Sequence, residues 1–487
     1  MKRGRASQLR VDPAEDLISE MLKFDNVVRD PVHGDIPLTA EEMQILDTPE
    51  MQRLRNVRQL GAAYLVYPGA HHSRFEHSIG TAHLVSRLVA AINAVRDGES
   101  GGRHGGYDPH ELRIIRLAAL VHDSTHLPFG HNIEDQTGLL PRHDNLDRFQ
   151  AMFSDQTDLG AALARTGVRD EILGILAPKE TPEAQSVPDH WRGLVSGTID
   201  ADMLDYLARD AMFTGLHLGY DPRAFHMFRV DRRSQRLFVD LERNGYLKES
   251  VLSEILRCLE ARYYFSERVY YHHAKISIGA LIAKAVEIVL LEGAVDFSTL
   301  QRSTDAGLFV LLEGAQIKDS KSRARLETYL DAFHRRRVPK RAAVYPVYAN
   351  EDFQEVLLAQ FFGEGSAEYR RKMEQELTDA LSKEVGKEVP VLLYCPSAKM
   401  QLKQARMLVH WPGETELRPL SDFKAKVPRL ADLEQSYQRM WKFYVLALSD
   451  DSAVLQKLAI LAAERFPEGV NVLAKTLDIP RGSQKST

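Results

Sequence analysis

The sequence predicts a mainly α-helical protein with a smaller C-terminal lobe of mixed helix and strand, and three observations carry that expectation. Capping-box spacings open apolar-periodic segments in the first 300 residues. One later segment, from about Glu111 to Val121, is apolar on most sides, as a buried helix is. Beyond about residue 300 the pattern changes to short β-type runs, Ala342–Tyr345, Val389–Tyr394 and Met407–Val409, separated by charged helical stretches. A length of 487 residues suits two or three domains. The expected divisions are an N-terminal extension over 1–24, a helical domain over 25–300, a mixed lobe over 301–475 and a flexible tail over 476–487 that lacks any apolar period.

Each element has a local reason. In Thr39-Ala-Glu-Glu42, Thr39 can cap a helix while Glu42 reaches back to it. Thr48-Pro49-Glu50 places a proline in a first helical turn and an acid at the positive end of the dipole. Ser73-Arg74-Phe75-Glu76 is a second box, leading into Ile79, Leu84, Leu88 and Ile92, and Asp97–Gly102 reads as a flexible loop. The helix from Glu111 ends in His122-Asp123, polar groups that need partners when placed at a buried end. Pro178–Pro188 reads as a loop, and Thr198–Phe213 and Leu252–Leu291 are helical by period.

Composition narrows the function classes. Two cysteines, Cys258 and Cys395, cannot staple a secreted scaffold or build a four-thiolate zinc site, which points to a reducing compartment. No run of eighteen apolar residues occurs and the N-terminus has no hydrophobic signal core, so a cytoplasmic protein without membrane attachment is expected. A formal net charge of -5 argues against an obligate nucleic-acid coat and leaves any anion site to local clusters.

Chemistry concentrates in His122-Asp123-Ser124-Thr125-His126-Leu127-Pro128-Phe129-Gly130-His131, with His77 upstream and His143 downstream. An adjacent His and Asp offer one imidazole and one carboxylate to a single cation, a mixed donor set that suits Mn, Fe, Zn or Mg. His77, near the start of its own helix, and an acid from a later helix, Asp202, would complete four ligands and leave room for water and a substrate oxygen. Any one of these histidines alone is more often a satisfied core or surface residue; the combination has little structural purpose.

The chain resembles the HD-domain phosphohydrolases, named for that His-Asp pair. Within them it is most similar to the deoxynucleoside triphosphate triphosphohydrolases, in the branch whose catalytic core accompanies a sterile-alpha-motif domain. The resemblance rests on Asp30-Pro31-Val32-His33-Gly34, Asp47-Thr48-Pro49 with Gln52-Arg53-Leu54-Arg55, Gln59-Leu60-Gly61 and Tyr67-Pro68-Gly69-Ala70. It continues in Arg74-Phe75-Glu76-His77-Ser78, His122-Asp123 with His126, Pro128-Phe129 and His131, and Asp202 with Asp205-Tyr206 and Ala208-Arg209-Asp210. It implies an HD-type helical core over 25–300, with the later lobe serving oligomerisation or regulation.

By that resemblance His77, His122, Asp123 and Asp202 are the metal ligands. Arg74, one turn before His77, would hold a phosphate. His131 would be the general acid on the leaving 5′-oxygen, and His126 and His143 would hold phosphate oxygens. Gln59, beside Leu60, and Asp210 would bond the 3′-hydroxyl, and Tyr206 would lie against the ribose. Arg262 would bind phosphate and Tyr271 would stack on the base, with the choice between Tyr270 and Tyr271 open; both are expected on one long helix. The implied reaction is metal-assisted attack of water on the α-phosphorus, releasing deoxynucleoside and intact triphosphate.

The resemblance also implies a homo-oligomer, a tetramer, with an activating nucleotide between subunits read by Asp47, Gln52, Arg55, Arg223, Arg336 and Lys340. The stretch His334–Arg341 packs five Arg or Lys side chains and a His into eight residues, which also suits a solvated surface run or a nucleic-acid patch. Three departures stand out: Arg29 in place of a base-contacting amide, Lys248 with Ser250 in place of an Arg-x-Lys pair, and Ser124-Thr125 between His-Asp and the next His. These leave room for a different activator, or none. The rival readings are a phosphodiesterase, nuclease or nucleotidase using the same metal centre, and a nucleotide sensor or nucleic-acid binder with vestigial hydrolysis.

Overall fold

A computed structural model describes residues 13–95, 104–137, 140–231, 233–363, 365–395 and 405–477. The loop expected at Asp97–Gly102, most of the tail and the first twelve residues lie outside these. The protein is mainly helical with small sheets. Its centre is helix Arg74–Asn93, buried along nearly its whole length, packed between helices Pro109–Val121 and Ala201–Thr214. Both expected capping boxes form, Thr39 with Glu42 and Ser73 with Glu76, and Asp108 with Glu111 adds a third ahead of Pro109–Val121.

Two hydrophobic clusters set where the site lies. The larger surrounds the 74–93, 109–121 and 201–214 helices. The second gathers helix His273–Leu291 with Leu308, Leu312, Leu326 and Phe333, and takes in Leu127, Phe129 and Ile133 from the segment after His122-Asp123. The chain between residues 122 and 133 therefore leaves one core and enters the other, and polar side chains collect on that seam.

The strands are short, and local hairpins alternate with pairings across long sequence separations. An antiparallel hairpin, Asn26–Asp30 with Gly34–Leu38, precedes the helices. A five-stranded sheet runs in the order Arg418–Pro419, Leu408–His410, Arg236–Asp240, Phe228–Asp231, His104–Gly105, with Leu408–His410 parallel to Arg236–Asp240. That sheet draws strands from both sides of residue 300. A three-stranded antiparallel sheet places Lys442–Ala447 between Lys340–Pro346 and Val391–Tyr394.

Two expectations need correction. Pro178–Pro188 is not all loop: Thr181 caps a short helix, Pro182–Gln185, with proline in its first turn. The expected long helix through Arg262 and His273 is two helices, Glu249–Phe265 and His273–Leu291, separated by a π-helical turn at Ser266–Tyr270. The extra residue per turn re-aims the side chains that follow, and the His272 side chain caps the second helix on the Ala274 N–H.

Candidate active site

Three helix ends bring four donors to one point. The Ser73 box sets Arg74 and His77 in the first turn of their helix. Helix Pro109–Val121 stops at His122, leaving Asp123 just beyond it. Asp200 caps helix Ala201–Thr214, so Asp202 falls in its first turn. His77 Nε2 lies 3.0 Å from Asp202 Oδ1 and 3.8 Å from Asp123 Oδ2; His122 Nε2 lies 3.5 Å from Asp123 Oδ1 and 3.8 Å from Asp202 Oδ1. The His77 side chain is 1% exposed and that of Asp202 30%, so the point opens to solvent on the Asp202 side.

The imidazoles are held in the tautomer a cation needs. His77 Nδ1 is 2.7 Å from Asp205 Oδ2, and His122 Nδ1 is 2.7 Å from the Ala119 carbonyl; each gives its Nδ1 proton outward and turns Nε2 to the centre. Both Nε2 atoms are buried without a hydrogen-bond partner. His77, His122 and Asp123 form a donor group that fits a divalent cation bound by nitrogen and oxygen, and Asp202 Oδ1 stands beside both imidazole nitrogens.

Charge agrees with that fit. Burial opposes a charge on His77, but the Asp202 carboxylate beside Nε2, the Asp205 carboxylate on Nδ1 and the field of Asp123 overcome it and push the imidazole up to about 10. Burial likewise opposes ionisation of Asp123, yet Arg74, His126 and His122 hold it well below the usual carboxylate range; Arg74 NH1 is 2.5 Å from Asp123 Oδ2. The centre is a pocket of negative potential that a proton on His77 partly neutralises.

Asp205 supports this arrangement, a role its place in the sequence motif does not reveal. Fully buried, it accepts from His77, from His33 Nε2 at 2.6 Å and from Arg209 Nε and NH2 at 2.9 Å each, while Arg209 NH1 reaches Asp30 at 2.8 Å. Gly80 makes room: a Cβ there would stand 1.9 Å from Asp205 Oδ1. The only local signal is the i,i+4 spacing of Asp205 and Arg209.

A cleft of about 850 Å³ opens from the same point. It is lined by all the residues assigned to substrate by resemblance: Gln59, Leu60, Arg74, His126, His131, His143, Tyr206, Asp210, Arg262 and Tyr271. Tyr270 lines it as well, donating from its hydroxyl to Asp210 Oδ2 at 2.6 Å, while His72 Nε2 lies 2.8 Å from Asp210 Oδ1. Tyr394 and Tyr437 close it from the C-terminal half. Gln59 Oε1 is buried without a partner, and among the described residues Arg262 makes no hydrogen bond or ion pair. An unpaired guanidinium beside buried acceptors and donors suits an anionic, hydroxyl-bearing ligand.

His126 stacks on His143 with ring centroids 3.7 Å apart, and His131 meets both edge-on. Burial, with Arg74 next, pushes the His126 imidazole well below its ordinary value, and burial lowers His143, so both are neutral near pH 7. Glu134, one turn after His131 and unnoticed in the sequence, accepts from His143 at 3.1 Å and from Arg148 at 2.7 Å. His126, His131, Glu134 and His143 have the composition of a second cation site. Arg148 on Glu134 and Arg74 beside His126 already supply positive charge there, which favours an anion over another cation.

The residues assigned to a regulatory nucleotide do not form one site within the chain. Asp47 caps the C-terminus of helix Ala40–Leu46. Gln52 donates to Leu46 O and accepts from Arg55, whose guanidinium covers the Phe75 ring at 3.6 Å. Arg223 pairs with Asp221, Arg336 donates to Leu65 O, and Lys340 lies 3.3 Å from Asp450. Of the departures, Arg29 pairs with Asp35, and Lys248 reaches Asp240 at 2.5 Å.

Two family models match the chain. The HD domain family matches residues 74–178, and the HD associated region matches residues 242–464. An uncharacterized protein of Methanocaldococcus jannaschii is 26% identical over 93% of this chain and 84% of its own length. The uncharacterized protein YwfO of Bacillus subtilis is 32% identical over 54% of this chain and 55% of its own. The deoxynucleoside triphosphate triphosphohydrolase SAMHD1 of Xenopus laevis is 29% identical over 42% of this chain; the match spans 36% of that enzyme. A crystal structure of a hypothetical protein from Aquifex aeolicus shares the fold, with a TM-score of 0.61 at 21% identity over 89% of this chain and 99% of the other. No helix among the described residues is long and apolar enough to cross a membrane. With the His-Asp pair at a buried helix end, a donor set for a divalent ion and a second region that completes the cleft, the chain carries an HD domain joined to an HD associated region.

Proposed function

We propose that the protein hydrolyses deoxynucleoside triphosphates to deoxynucleoside and inorganic triphosphate. The observation that supports this most is the pairing, in one cleft, of the four-donor point with the unpartnered Arg262 guanidinium and Gln59 Oε1. His77, His122, Asp123 and Asp202 would hold the ion, one of Mn, Mg, Fe or Zn. Bound there, it would polarise a phosphoryl oxygen and lower the pKa of the attacking water.

The chain's own residues do the rest. Arg74 and Arg262 neutralise phosphate charge, and neutral His126 and His143 hold phosphate oxygens. Water attacks the α-phosphorus, the bond from phosphorus to the 5′-oxygen breaks, and His131 hands its proton to that oxygen. Glu134 orients His143. Gln59 and Asp210 bond the 3′-hydroxyl, Tyr206 lies against the ribose so that a 2′-hydroxyl is crowded out, and Tyr270 or Tyr271 faces the base. Oligomers, a tetramer in particular, with an activating nucleotide held between subunits by Asp47, Gln52, Arg55, Arg223, Arg336 and Lys340, belong to the same reading.

The deciding experiment is product analysis with the four deoxynucleotides, singly and in pairs, under varied metal. Inorganic tripolyphosphate supports the proposal; phosphate, pyrophosphate or oligonucleotide fragments overturn it in favour of a nucleotidase, phosphodiesterase or nuclease. Asp202→Ala, a change on the open side of the site, is expected to abolish turnover in a folded protein.

A further inference from the structure

We propose that Asp305 is a positioning residue that holds the two walls of the cleft in register, the one carrying Gln59 and the one carrying His131. Asp305 opens helix Asp305–Glu313, just past residue 300, and is itself neither at the metal point nor among the residues that line the cleft. It is 2% exposed. A carboxylate so placed must be saturated with donors, and its donors come from two separate segments. Oδ1 accepts from the Phe129 backbone N–H at 2.9 Å; Oδ2 accepts from the Arg58 backbone N–H at 3.0 Å and from Arg58 NH1 at 3.2 Å.

Arg58 directly precedes Gln59, and Phe129 stands two residues before His131. The two segments also touch each other closely: a Cβ on Gly61 would meet Phe129 O at 2.9 Å, and the Ala62 N–H donates to Asn132 Oδ1 at 3.2 Å. Phe129 and Gly130 both adopt left-handed backbone, φ 57° and 47°. Phenylalanine takes that conformation only when its surroundings hold it there. Asp305 grips its amide, and its ring packs against Phe309 and Phe333.

A cation complements this anion. Arg53 donates to Ser303 O at 3.0 Å and, through NH2, to Ser124 O at 3.0 Å and His126 O at 2.9 Å. The turn at 303–305 is thus tied through the Arg53 guanidinium to the carbonyls of residues 124 and 126, and through the Asp305 carboxylate to the amides of residues 58 and 129. The separation of Gln59 from His131 follows, and with it the span between the group that reads a sugar hydroxyl and the group that protonates the leaving oxygen. This role rests on the functions proposed above for those two residues.

Asp305→Asn tests it. An amide keeps one acceptor oxygen but turns an N–H₂ toward a donor, so one segment must let go. In the full-length protein, hydrogen exchange at Arg58 or Phe129 is expected to rise about tenfold, as for one lost hydrogen bond. Metal content is expected to stay at the parent level. The kcat for deoxynucleotides is expected to fall about 10- to 100-fold, the cost of an ångström's misplacement, and preference for a deoxynucleotide over its 2′,3′-dideoxy analogue to narrow. A merely structural role would slow both substrates equally and leave that preference intact, and that outcome overturns the proposal, as does parental exchange at both amides. If the parent enzyme releases no triphosphate from any deoxynucleotide, the substrate assignment falls, while the exchange measurement still decides whether Asp305 holds the two segments.

Discussion

His77 Nδ1 stands 2.7 Å from Asp205 Oδ2, and the carboxylate that receives it is also gripped by Arg209 on both oxygens. Ring and carboxylate are both fully buried. One bond therefore settles which nitrogen of His77 faces the centre, and Arg209 keeps Asp205 ionised without drawing it off the ring. Burial raises the cost of that charge, and Arg209, His33 and His77 together hold the Asp205 carboxyl well below its ordinary range.

Asp205→Asn is expected to weaken metal binding about 10- to 100-fold, the usual effect of losing a partner behind a coordinating histidine. It also strips Arg209 of one of two carboxylates and leaves Asp30 alone on a buried guanidinium. Breaking such a pair costs about 3–5 kcal/mol. Calorimetric metal titration and urea unfolding measure the two effects separately; parental values for both would remove Asp205 from the site's support.

Metal binding is expected to release a proton. In metal-free protein, against the cost of burial, the carboxylates of Asp202, Asp205 and Asp123 push the His77 imidazole up to about 10, so at pH 8 Nε2 is expected to carry a proton that coordination must displace. Affinity is then expected to rise about tenfold per pH unit between pH 7 and 9. Titrations at pH 8 in buffers of different ionisation enthalpy are expected to give about one proton released per ion. A value near zero would mean that His77 is already neutral in the metal-free site.

Arg262 tests the ligand class. Burial disfavours its charge, but Tyr206, Tyr437 and Asp200 raise the guanidinium further, so it is a fixed cation in the cleft. A hydrogen bond to a charged group contributes about 1.5–3 kcal/mol, and a phosphate bound in both ground and transition states returns that in KM. Arg262→Ala is expected to raise KM about 10- to 150-fold with kcat much less affected. A loss confined to kcat would place Arg262 in the chemical step instead.

Much of the centre was legible because its signals are local. The Ser73 box, the buried helix ending in His122-Asp123 and the acid-rich start of the 201–214 helix each put a donor at a helix end. Asp205, Glu134 and Asp305 were not legible, since each acts through partners set by tertiary packing: His33 is 172 residues from Asp205, and Arg58 is 247 from Asp305. The break at Ser266–Tyr270 was hidden for a related reason. Its residues have helical periodicity, and the turn carries Tyr270 to Asp210, a contact no window along the chain contains. The five-stranded sheet joins two local strand pairs, 228–231 with 236–240 and 408–410 with 418–419, by a parallel pairing between residues about 170 apart, and adds residues 104–105 at its edge; local propensity carries little of those two long-range pairings.

Acid stability gives a last expectation, argued from His83. It sits on the same helix as His77, 9% exposed, its ring centroid 5.5 Å from that of His33. Burial, then the positive fields of His33, Arg116 and Arg87, push its imidazole down to about 3 against a partial offset from Asp205. The folded protein keeps His83 neutral, whereas the unfolded chain takes up a proton near pH 6.5. Between those values the unfolded state binds more protons, so stability present above pH 6.5 is lost as the pH falls. From pH 7 to pH 5 the loss due to this one group is about 2 kcal/mol. His83→Gln removes the titration, and urea unfolding of metal-free protein at the two pH values is expected to show an acid penalty smaller by that amount. An unchanged penalty would mean that His83 is already protonated in the fold, or reaches water more freely than its packing beside Arg116 allows.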